Sequence, residues 1–336
     1  MKAIGFKTSL AIEEQDSFIA FEIEKPIPSE HELLVKIDAV SVNPVDFKIR
    51  QSAAKNTVLD TPKIIGWDAV GTVEAVGDKV SLFKIGDKVY YAGDLTKQGS
   101  NAEYQVIDEH IVGKKPTSLS NEEAVVMPLT GLTAWEILFD RIRINEKDKG
   151  KTILIIGGAG GVGSIAIQLA KKVAGLKVIT TASRPATIEW CKKQGADVVV
   201  NHKDLINEVR KAGFQQVDFI VDFVDTNVYW DAMAELIKPQ GHIASITGSA
   251  EPVALNKLKT KSVSFSWELM YTRSMFQTDD MIEQHNILNK LADLLDNGTI
   301  KTTLNTTIKG LTAESFKEAH RLSESGKAIG KIAITF

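Results

Sequence analysis

The chain has 336 residues, of which 43% are hydrophobic and 25% are charged, and its formal net charge is −3. This length and composition predict a globular protein with room for two domains, and the charge gives no indication of binding to nucleic acid or to an anionic membrane. A single cysteine, Cys191, excludes a disulfide framework and a cysteine-rich zinc site.

The N-terminal third of the chain predicts a β-rich domain. Residues 1–15 lack a signal-peptide pattern, and no apolar run reaches the ~20 residues of a membrane span, so we expect a cytoplasmic protein without membrane contact. Candidate strands lie at residues 32–39 and 69–76, and Gly77-Asp78, Gly86-Asp87 and Gly93-Asp94 mark turns. Regular turn signals at this spacing favour a small barrel or a sandwich.

Two loops of this domain carry polar residues that a core would not select. The first contains Asn43, Pro44 and Asp46, and the second contains Trp67 and Asp68. The amide of Asn43 can donate and accept, which suits a ribose, a carboxamide or a substrate carbonyl. Asp46 has two interpretations that stay open: a functional carboxylate, or the cap of a short helix.

A glycine-rich stretch predicts a dinucleotide site. An apolar run at residues 152–156 is followed by Gly158, Gly160 and Gly163, and then by apolar residues at helical spacing. This order of strand, G-x-G-x-x-G and helix allows a tight turn, close approach of a pyrophosphate and close packing of the helix. The helix N-terminus then presents free N–H groups to phosphate.

Strands and helices alternate after this stretch. Six such strands predict a doubly wound parallel sheet, whose ligands lie beyond the carboxyl ends of the strands. The predicted strands are residues 152–156, 177–181, 197–200, 217–223, 242–247 and 263–267. The predicted helices are residues 162–174, 185–194, 203–212 and 229–237. The loop residues expected at the rim are Ser183, Arg184, Asn201, His202, Phe223, Val224, Thr247 and Gly248.

The loop after the second of these strands predicts the cofactor. Sites for an unphosphorylated ribose place an acidic residue about 20 residues beyond the glycines, but none occurs between Asp148 and Glu189. Ser183 and Arg184 stand there instead. A hydroxyl and a guanidinium suit a 2′-phosphate, so we expect NADP(H) rather than NAD(H).

The C-terminal part predicts a return to the first domain. Helices are expected at residues 279–297 and 313–324, followed by a strand at residues 331–336 that rejoins the N-terminal domain. The strand at residues 263–267 is expected at the edge of the parallel sheet. An exposed apolar edge invites pairing with its own copy, so we expect a homodimer.

Taken together, these residues resemble the medium-chain dehydrogenase/reductase superfamily, and within it the quinone oxidoreductase branch of the zinc-type alcohol dehydrogenase-like group. The resemblance implies a GroES-like β-barrel domain at residues 1–125 and 270–336 and a Rossmann domain at residues 126–269. It also implies hydride transfer from NADPH to quinones or α,β-unsaturated carbonyl compounds. The segments that carry it are VSVNPVDFKIR, IIGWDAVGTVEAVGD, GSNAEYQVIDE, PLTGLTAWE, IIGGAGGVGSIAIQLAK, WELMYTRSMFQT and ESGKAIGKI.

The resemblance assigns roles to individual residues. Asn43 would lie near the nicotinamide, with Asp46 supporting it, and Thr130 would contact the cofactor near the nicotinamide phosphate. The candidate donors to a developing oxyanion are Asn43, Lys48 and Tyr91. The remaining cofactor residues are assigned by group. These are Gly158, Gly160, Gly161 and Val162 for the pyrophosphate, Ser183 and Arg184 for the adenosine phosphate, and His202, Phe223, Thr247 and Lys331 elsewhere.

The chain departs from the zinc members of this family. Their first ligand, a cysteine, is replaced by Asn43, and their GHE motif is replaced by Gly66-Trp67-Asp68. The four-cysteine structural lobe is also missing, so we expect no zinc. Two rival functions stay open: a zinc-free alcohol or aldehyde reductase, and a protein that binds NADPH without turnover. The aromatic residues Trp67, Trp267 and Tyr271 either line a slot for a flat substrate or pack in the core.

Overall fold

The computed structural model describes residues 1–336 and contains sixteen strands. The strands are β1 (Lys2–Phe6), β2 (Ile19–Glu22), β3 (Glu32–Val42), β4 (Lys63–Ile64), β5 (Asp68–Val76), β6 (Lys88–Tyr91), β7 (Tyr104–Asp108), β8 (Val112–Lys114), β9 (Thr152–Ile156), β10 (Lys177–Thr181), β11 (Val198–Val200), β12 (Val217–Asp222), β13 (Ile237–Ser245), β14 (Ser264–Trp267), β15 (Leu304–Lys309) and β16 (Lys331–Thr335).

Eleven α-helices connect or cover these strands. None of them has both the length and the apolar character that crossing a bilayer requires. The helices are α1 (Pro44–Ser52), α2 (Asn121–Val125), α3 (Pro128–Trp135), α4 (Gly161–Gln168), α5 (Pro185–Gln194), α6 (Leu205–Lys211), α7 (Thr226–Leu236), α8 (Asn256–Lys259), α9 (Thr272–Phe276), α10 (Glu283–Asp296) and α11 (Ala313–Glu324).

The chain forms two compact units, and the first comprises residues 1–129 and 271–336. It contains a three-stranded sheet of order β2-β1-β4 and a larger sheet of order β15-β16-β3-β5-β6-β8, in which β7 also pairs with β3. The C-terminal strand β16 runs antiparallel to β3, with Ile332 opposite Val42. The predicted return of the chain to its N-terminal sheet is therefore observed.

The second unit comprises residues 130–270 and is built on a six-stranded parallel sheet. The strand order is β11-β10-β9-β12-β13-β14, and every pairing in it is parallel. This confirms the predicted doubly wound sheet. Because the chain first moves outward from β9 to β11 and then restarts at β12, the direction of winding reverses between β9 and β12. The strands β9, β10 and β12 are buried over most of their length, as the centre of a parallel sheet between helices requires.

Some element boundaries differ from the sequence prediction. Strand β13 begins at Ile237 rather than at residue 242, because Ile237 pairs with Val217 and a register shift absorbs the turn-forming residues that follow. The helix predicted over residues 162–174 is α-helical only to Gln168 and continues as a π turn, Leu169–Val173. Helix α10 begins at Glu283, because Asp280 is held in a preceding turn by Thr278 and Arg273.

Candidate active site

A buried ammonium group lies at the centre of a polar cluster in the first unit. Lys331 Nζ donates to the carbonyl oxygen of Val42 at 2.9 Å, to Asn43 Oδ1 at 2.5 Å and to Asp68 Oδ2 at 3.2 Å. Lys331 is 4% exposed, Asn43 1% and Asp68 0%. We call Asn43, Asp68 and Lys331 the buried triad.

Strand register brings these residues together from distant parts of the sequence. Strand β3 pairs with β16 on one side and with β5 on the other, which places Ile332 opposite Val42 and Asp68 opposite Ser41. Lys331 and Asn43 are the chain neighbours of Ile332 and Val42, and Asp68 is itself one of the paired residues. The triad is therefore a product of the sheet that the two ends of the first unit share.

Lys331 and Asp68 form an ion pair within the triad, and most of the other polar atoms of the triad make hydrogen bonds. Asp68 accepts hydrogen bonds from Asn43 Nδ2 and from the backbone N–H of Leu129, both at 2.8 Å. Burial raises the pKa of the Asp68 carboxyl and lowers the pKa of the Lys331 ammonium, while the charge of each partner opposes the shift of the other. A buried pair of this kind is costly to break, because either partner alone would be a buried, uncompensated charge.

Asp46 takes part in the capping box of helix α1. Asn43 is the N-cap residue, and its backbone N–H donates to Asp46 Oδ2 at 2.7 Å. The predicted capping contact is therefore present, and a functional role of Asp46 stays a prediction. The other oxygen, Oδ1, is buried without a partner, and burial raises the pKa of this carboxyl to about 8. A buried carboxyl with an unused oxygen can hold or release a proton near neutral pH.

Two buried tyrosine hydroxyls also lack partners. Tyr271 and Tyr91 are both at most 2% exposed, and neither hydroxyl makes a hydrogen bond. Burial raises the pKa of Tyr271, and the negative charges of Asp46 and Asp68 add to that shift. Both phenols therefore stay protonated and are free to donate to an oxygen atom.

The other predicted residues of this unit lie outside the buried triad. Tyr91 is on β6 opposite Ala69. Trp67 is buried and donates from Nε1 to the carbonyl oxygen of Asp94 at 3.0 Å, so it packs in the core, where its ring meets Tyr271 edge to face at 6.4 Å. Lys48 is exposed on helix α1 and is not part of the buried triad.

In the second unit the three motif glycines differ in what surrounds them. A Cβ at Gly158 would lie 2.0 Å from Thr180 Oγ1, and one at Gly163 would lie 2.2 Å from the carbonyl oxygen of Gly157. A Cβ at Gly160 would have its nearest neighbour at 3.6 Å. The protein's own packing thus requires Gly158 and Gly163, whereas the space above Gly160 is open. An open glycine at the N-terminus of α4 fits a phosphate group that approaches the backbone.

The predicted rim residues follow the carboxyl ends of the strands. Ser183 and Arg184 are exposed after β10, and Arg184 is the N-cap residue of α5. His202 follows β11, Phe223 follows β12 and Thr247 follows β13, and all three are partly buried. Gly161 and Val162 open α4 and are also partly buried, whereas Thr130 on α3 is almost fully buried.

A carboxylate that the sequence pattern did not single out organises this rim. Asp222 ends β12 and is fully buried. It accepts from the backbone N–H groups of Val224 and Asp225 and from Ser245 and Thr247. These bonds shape the loop beside the glycines, since a Cβ at Gly157 would lie 2.7 Å from Val224. An acidic residue at the end of a buried strand was the available signal.

The buried triad does not fit a zinc ion. Asn43 and Trp67 stand where the zinc members place ligands, but Trp67 Nε1 is a donor already bonded to Asp94. The Lys331 ammonium occupies the space between Asn43 and Asp68. A divalent cation there would be repelled by this ammonium and would find only one carboxylate.

Family comparisons agree with the two-unit architecture. Residues 29–117 match the family described as "Alcohol dehydrogenase GroES-like domain". Residues 161–285 match the family described as "Zinc-binding dehydrogenase". These matches confirm a GroES-like domain combined with a Rossmann-type parallel sheet.

Two relatives resemble the chain over most of its length. A "Zinc-type alcohol dehydrogenase-like protein" from Staphylococcus epidermidis is 47% identical over 99% of both chains. A "2-methylene-furan-3-one reductase" from Solanum lycopersicum is 32% identical over 92% of this chain and 73% of its own length.

Two solved structures share the fold. A Rhizobium etli protein is 45% identical, with a TM-score of 0.95 over 100% of this chain and 98% of that chain. The Escherichia coli quinone oxidoreductase, solved in complex with NADPH, is 26% identical, with a TM-score of 0.85 over 100% of both chains.

The glycine geometry gives a first prediction. Gly163→Ala should destabilise the fold, because its Cβ would overlap the carbonyl of Gly157. Gly160→Ala should leave the thermal midpoint unchanged, because its backbone φ of −74° and its open surroundings accept a methyl group. Thermal unfolding followed by circular dichroism checks both variants. If the Gly160 variant is folded, its NADPH affinity should still fall, and an unchanged affinity would contradict a phosphate contact there.

The buried triad gives a second prediction. Lys331→Met should lower the free energy of unfolding by about 3–5 kcal/mol, because it leaves the Asp68 carboxylate buried without its counter-ion. Adding Asp68→Asn to the same chain should recover much of this loss. Urea unfolding of both variants measures the effect, and Lys309→Met, at an exposed lysine on β15, is the matched control. If Lys331→Met were as stable as Lys309→Met, Lys331 and Asp68 would not form an ionised pair.

Proposed function

The chain belongs to the medium-chain dehydrogenase/reductase superfamily and to its zinc-type alcohol dehydrogenase-like group, and we propose that it is an NADPH-dependent, zinc-independent reductase of quinones or α,β-unsaturated carbonyl compounds. The observation that carries this proposal is the Lys331 ammonium held between Asn43 and Asp68, since the family resemblance assigns a zinc ligand to the position of Asn43. Two comparisons support the substrate class: the Escherichia coli neighbour is a quinone oxidoreductase, and the tomato relative is named as a reductase of a conjugated ketone.

A reductase that works without a metal ion, as we propose here, is better suited to conjugated carbonyl compounds than to simple ketones. Reduction of a simple ketone concentrates negative charge on one oxygen, which a metal ion stabilises best. Addition of hydride to a conjugated carbonyl spreads the charge over an enolate, for which hydrogen-bond donors suffice. We propose that the unpartnered hydroxyls of Tyr271 and Tyr91 serve this purpose. Because the amide of Asn43 is already bonded to Asp68 and Lys331, we propose a positioning role for Asn43, which Asp46 holds through its backbone N–H.

The cofactor proposal rests on the second unit. NADPH, when bound, supplies the hydride. The open backbone at Gly160, the N-terminus of α4 and the exposed Ser183 and Arg184 are the groups that we propose for its pyrophosphate and its 2′-phosphate. The neighbour solved in complex with NADPH supports this choice. We further propose a cytoplasmic location, where the buried, free thiol of Cys191 stays reduced.

The first expected outcome concerns the substrate. The purified protein should oxidise NADPH steadily with an ortho-quinone or a short enone, and much more slowly with unconjugated aldehydes and ketones. Loss of absorbance of NADPH in a panel of these compounds measures this. Turnover restricted to aldehydes would favour the alcohol or aldehyde reductase, and binding of NADPH without turnover of any acceptor would favour a non-catalytic protein.

The same assay tests zinc independence. Prolonged treatment with a chelator should leave the quinone or enone activity unchanged, because no metal takes part in the proposed step. Addition of zinc to the treated protein should not increase the rate. Activity that disappears with the chelator and returns with zinc would contradict the proposal.

The second expected outcome concerns cofactor choice. Arg184→Ala should weaken NADPH binding roughly ten- to hundredfold, because it removes a charge-assisted bond to phosphate worth ~1.5–3 kcal/mol, and it should leave NADH binding nearly unchanged. Fluorescence titration with each cofactor measures this. Lys192→Ala, at an exposed lysine near the other end of α5, is the matched control. Equal losses for both cofactors would contradict a role in 2′-phosphate recognition.

The third expected outcome concerns assembly. Strand β14 pairs only with β13, and Trp267 and Leu269 beside it are each 49% exposed. We propose that this edge pairs with its copy in a homodimer. Light scattering at micromolar concentration should give twice the mass of the chain, and Phe265→Asp should reduce it to the monomer mass. A monomer mass for the unchanged protein would refute the dimer.

A further inference from the structure

A group of metal-ligating side chains lies in the first unit outside the buried triad. His31, Glu109 and His110 each offer one ligand atom, and these three atoms lie within 4.8 Å of one another. We propose that this group is a binding site for a divalent transition metal ion such as zinc. The proposal does not depend on the proposed function, because none of these residues is assigned a part in hydride transfer.

Strand register creates the group from residues 78 positions apart. In the antiparallel pair of β3 and β7, Glu32 at the start of one strand lies opposite Asp108 at the end of the other. The residues just beyond this pair are His31 and Glu109, and the backbone N–H of Glu109 donates to the carbonyl oxygen of His31 at 2.9 Å. His110 follows in the short 3-10 turn Glu109–Ile111. Two fixed segments of backbone therefore hold the three side chains together.

Glu109 supplies a carboxyl group in a fixed orientation. Its side chain is fully buried, and its Oε2 accepts from the backbone N–H groups of Ser81 and Leu82 at 2.9 and 2.7 Å. Its Oε1 is directed at His31 Nδ1, 3.0 Å away. The carboxylate is thus oriented before a cation arrives.

Asp108 orients the second imidazole. Its Oδ1 lies 2.7 Å from His110 Nδ1 and also accepts the backbone N–H of His110 at 2.8 Å. A carboxylate at Nδ1 keeps the proton on that nitrogen and leaves the lone pair of Nε2 available. This carboxylate–histidine arrangement is the usual support of a metal-bound imidazole.

The two histidines are accessible and can adjust. The side chains of His31 and His110 are 42% and 31% exposed, and their ring centroids are 5.1 Å apart. Donors around a tetrahedral zinc ion are about 3.3 Å apart, so small rotations of these exposed rings suffice. His110 also lines an open surface cleft with Asp279, which gives the ion a route from solvent. Two imidazoles and one carboxylate favour zinc, nickel or copper over magnesium or calcium.

The competing explanation is that the group consists only of two histidine–carboxylate hydrogen bonds. Equilibrium dialysis of the metal-stripped, full-length protein against micromolar zinc, followed by metal analysis, distinguishes the two. We expect one zinc per chain, with His31→Ala and His110→Ala each weakening binding at least about tenfold. Asp108→Asn should also weaken it, and His242→Gln, which changes a histidine of the second unit, should not.

A second measurement guards against misfolding of the variants. Zinc should raise the thermal midpoint of the unchanged protein, because it binds only the folded chain, and should not raise that of the His31→Ala/His110→Ala double variant. Circular dichroism without metal establishes that this variant is folded. Zinc that does not bind, or that binds the double variant as tightly as the unchanged protein, would overturn the proposal.

Discussion

The ion pair between Lys331 and Asp68 is the interaction on which the candidate active site depends. The pair joins β16 to β5 across β3, and it fixes the amide of Asn43 through both of its ends. Asn43 in turn begins helix α1 and holds Asp46 in its buried position. Neither Lys331 nor Asp68 could be buried here without the other. Hydrogen bonds connect this ion pair to Asn43 and, through Asn43, to Asp46, which we propose as parts of the substrate site.

The three glycines of the G-x-G-x-x-G motif in the second unit have different roles, which the motif alone does not reveal. Gly158 and Gly163 are required by the packing of the loop and of helix α4 against the strand, whereas Gly160 is not. In residues 158–163, the fold of the loop therefore requires Gly158 and Gly163, whereas the proposed binding of phosphate requires Gly160. Asp222, from the next strand of the sheet, stabilises the neighbouring loop and so maintains the other wall of the crevice.

The sequence predicted what depends on local pattern. The six strands of the parallel sheet, the position of α5 and the return of β16 follow from apolar runs, turn residues and capping signals. The buried triad could not be predicted, because it requires the register between strands whose residues are up to 289 positions apart. The same is true of His31 and Glu109, which no sequence spacing connects. Asn43 was expected to present its amide to a ligand, and only the structure shows that Lys331 and Asp68 already bind it.

The separation of Asp68 and Lys331 by 263 residues has a consequence for biosynthesis. The ribosome makes Asn43 and Asp68 first, and then the whole of the second unit, before it makes Lys331, the counter-ion of Asp68. The second unit is one continuous segment and has all its strands when residue 270 has emerged. We therefore expect it to fold on the nascent chain while the first unit waits, incomplete, for its final strand. During that interval we expect the Asp68 carboxylate to stay hydrated, because burying it before its counter-ion has been made would be costly.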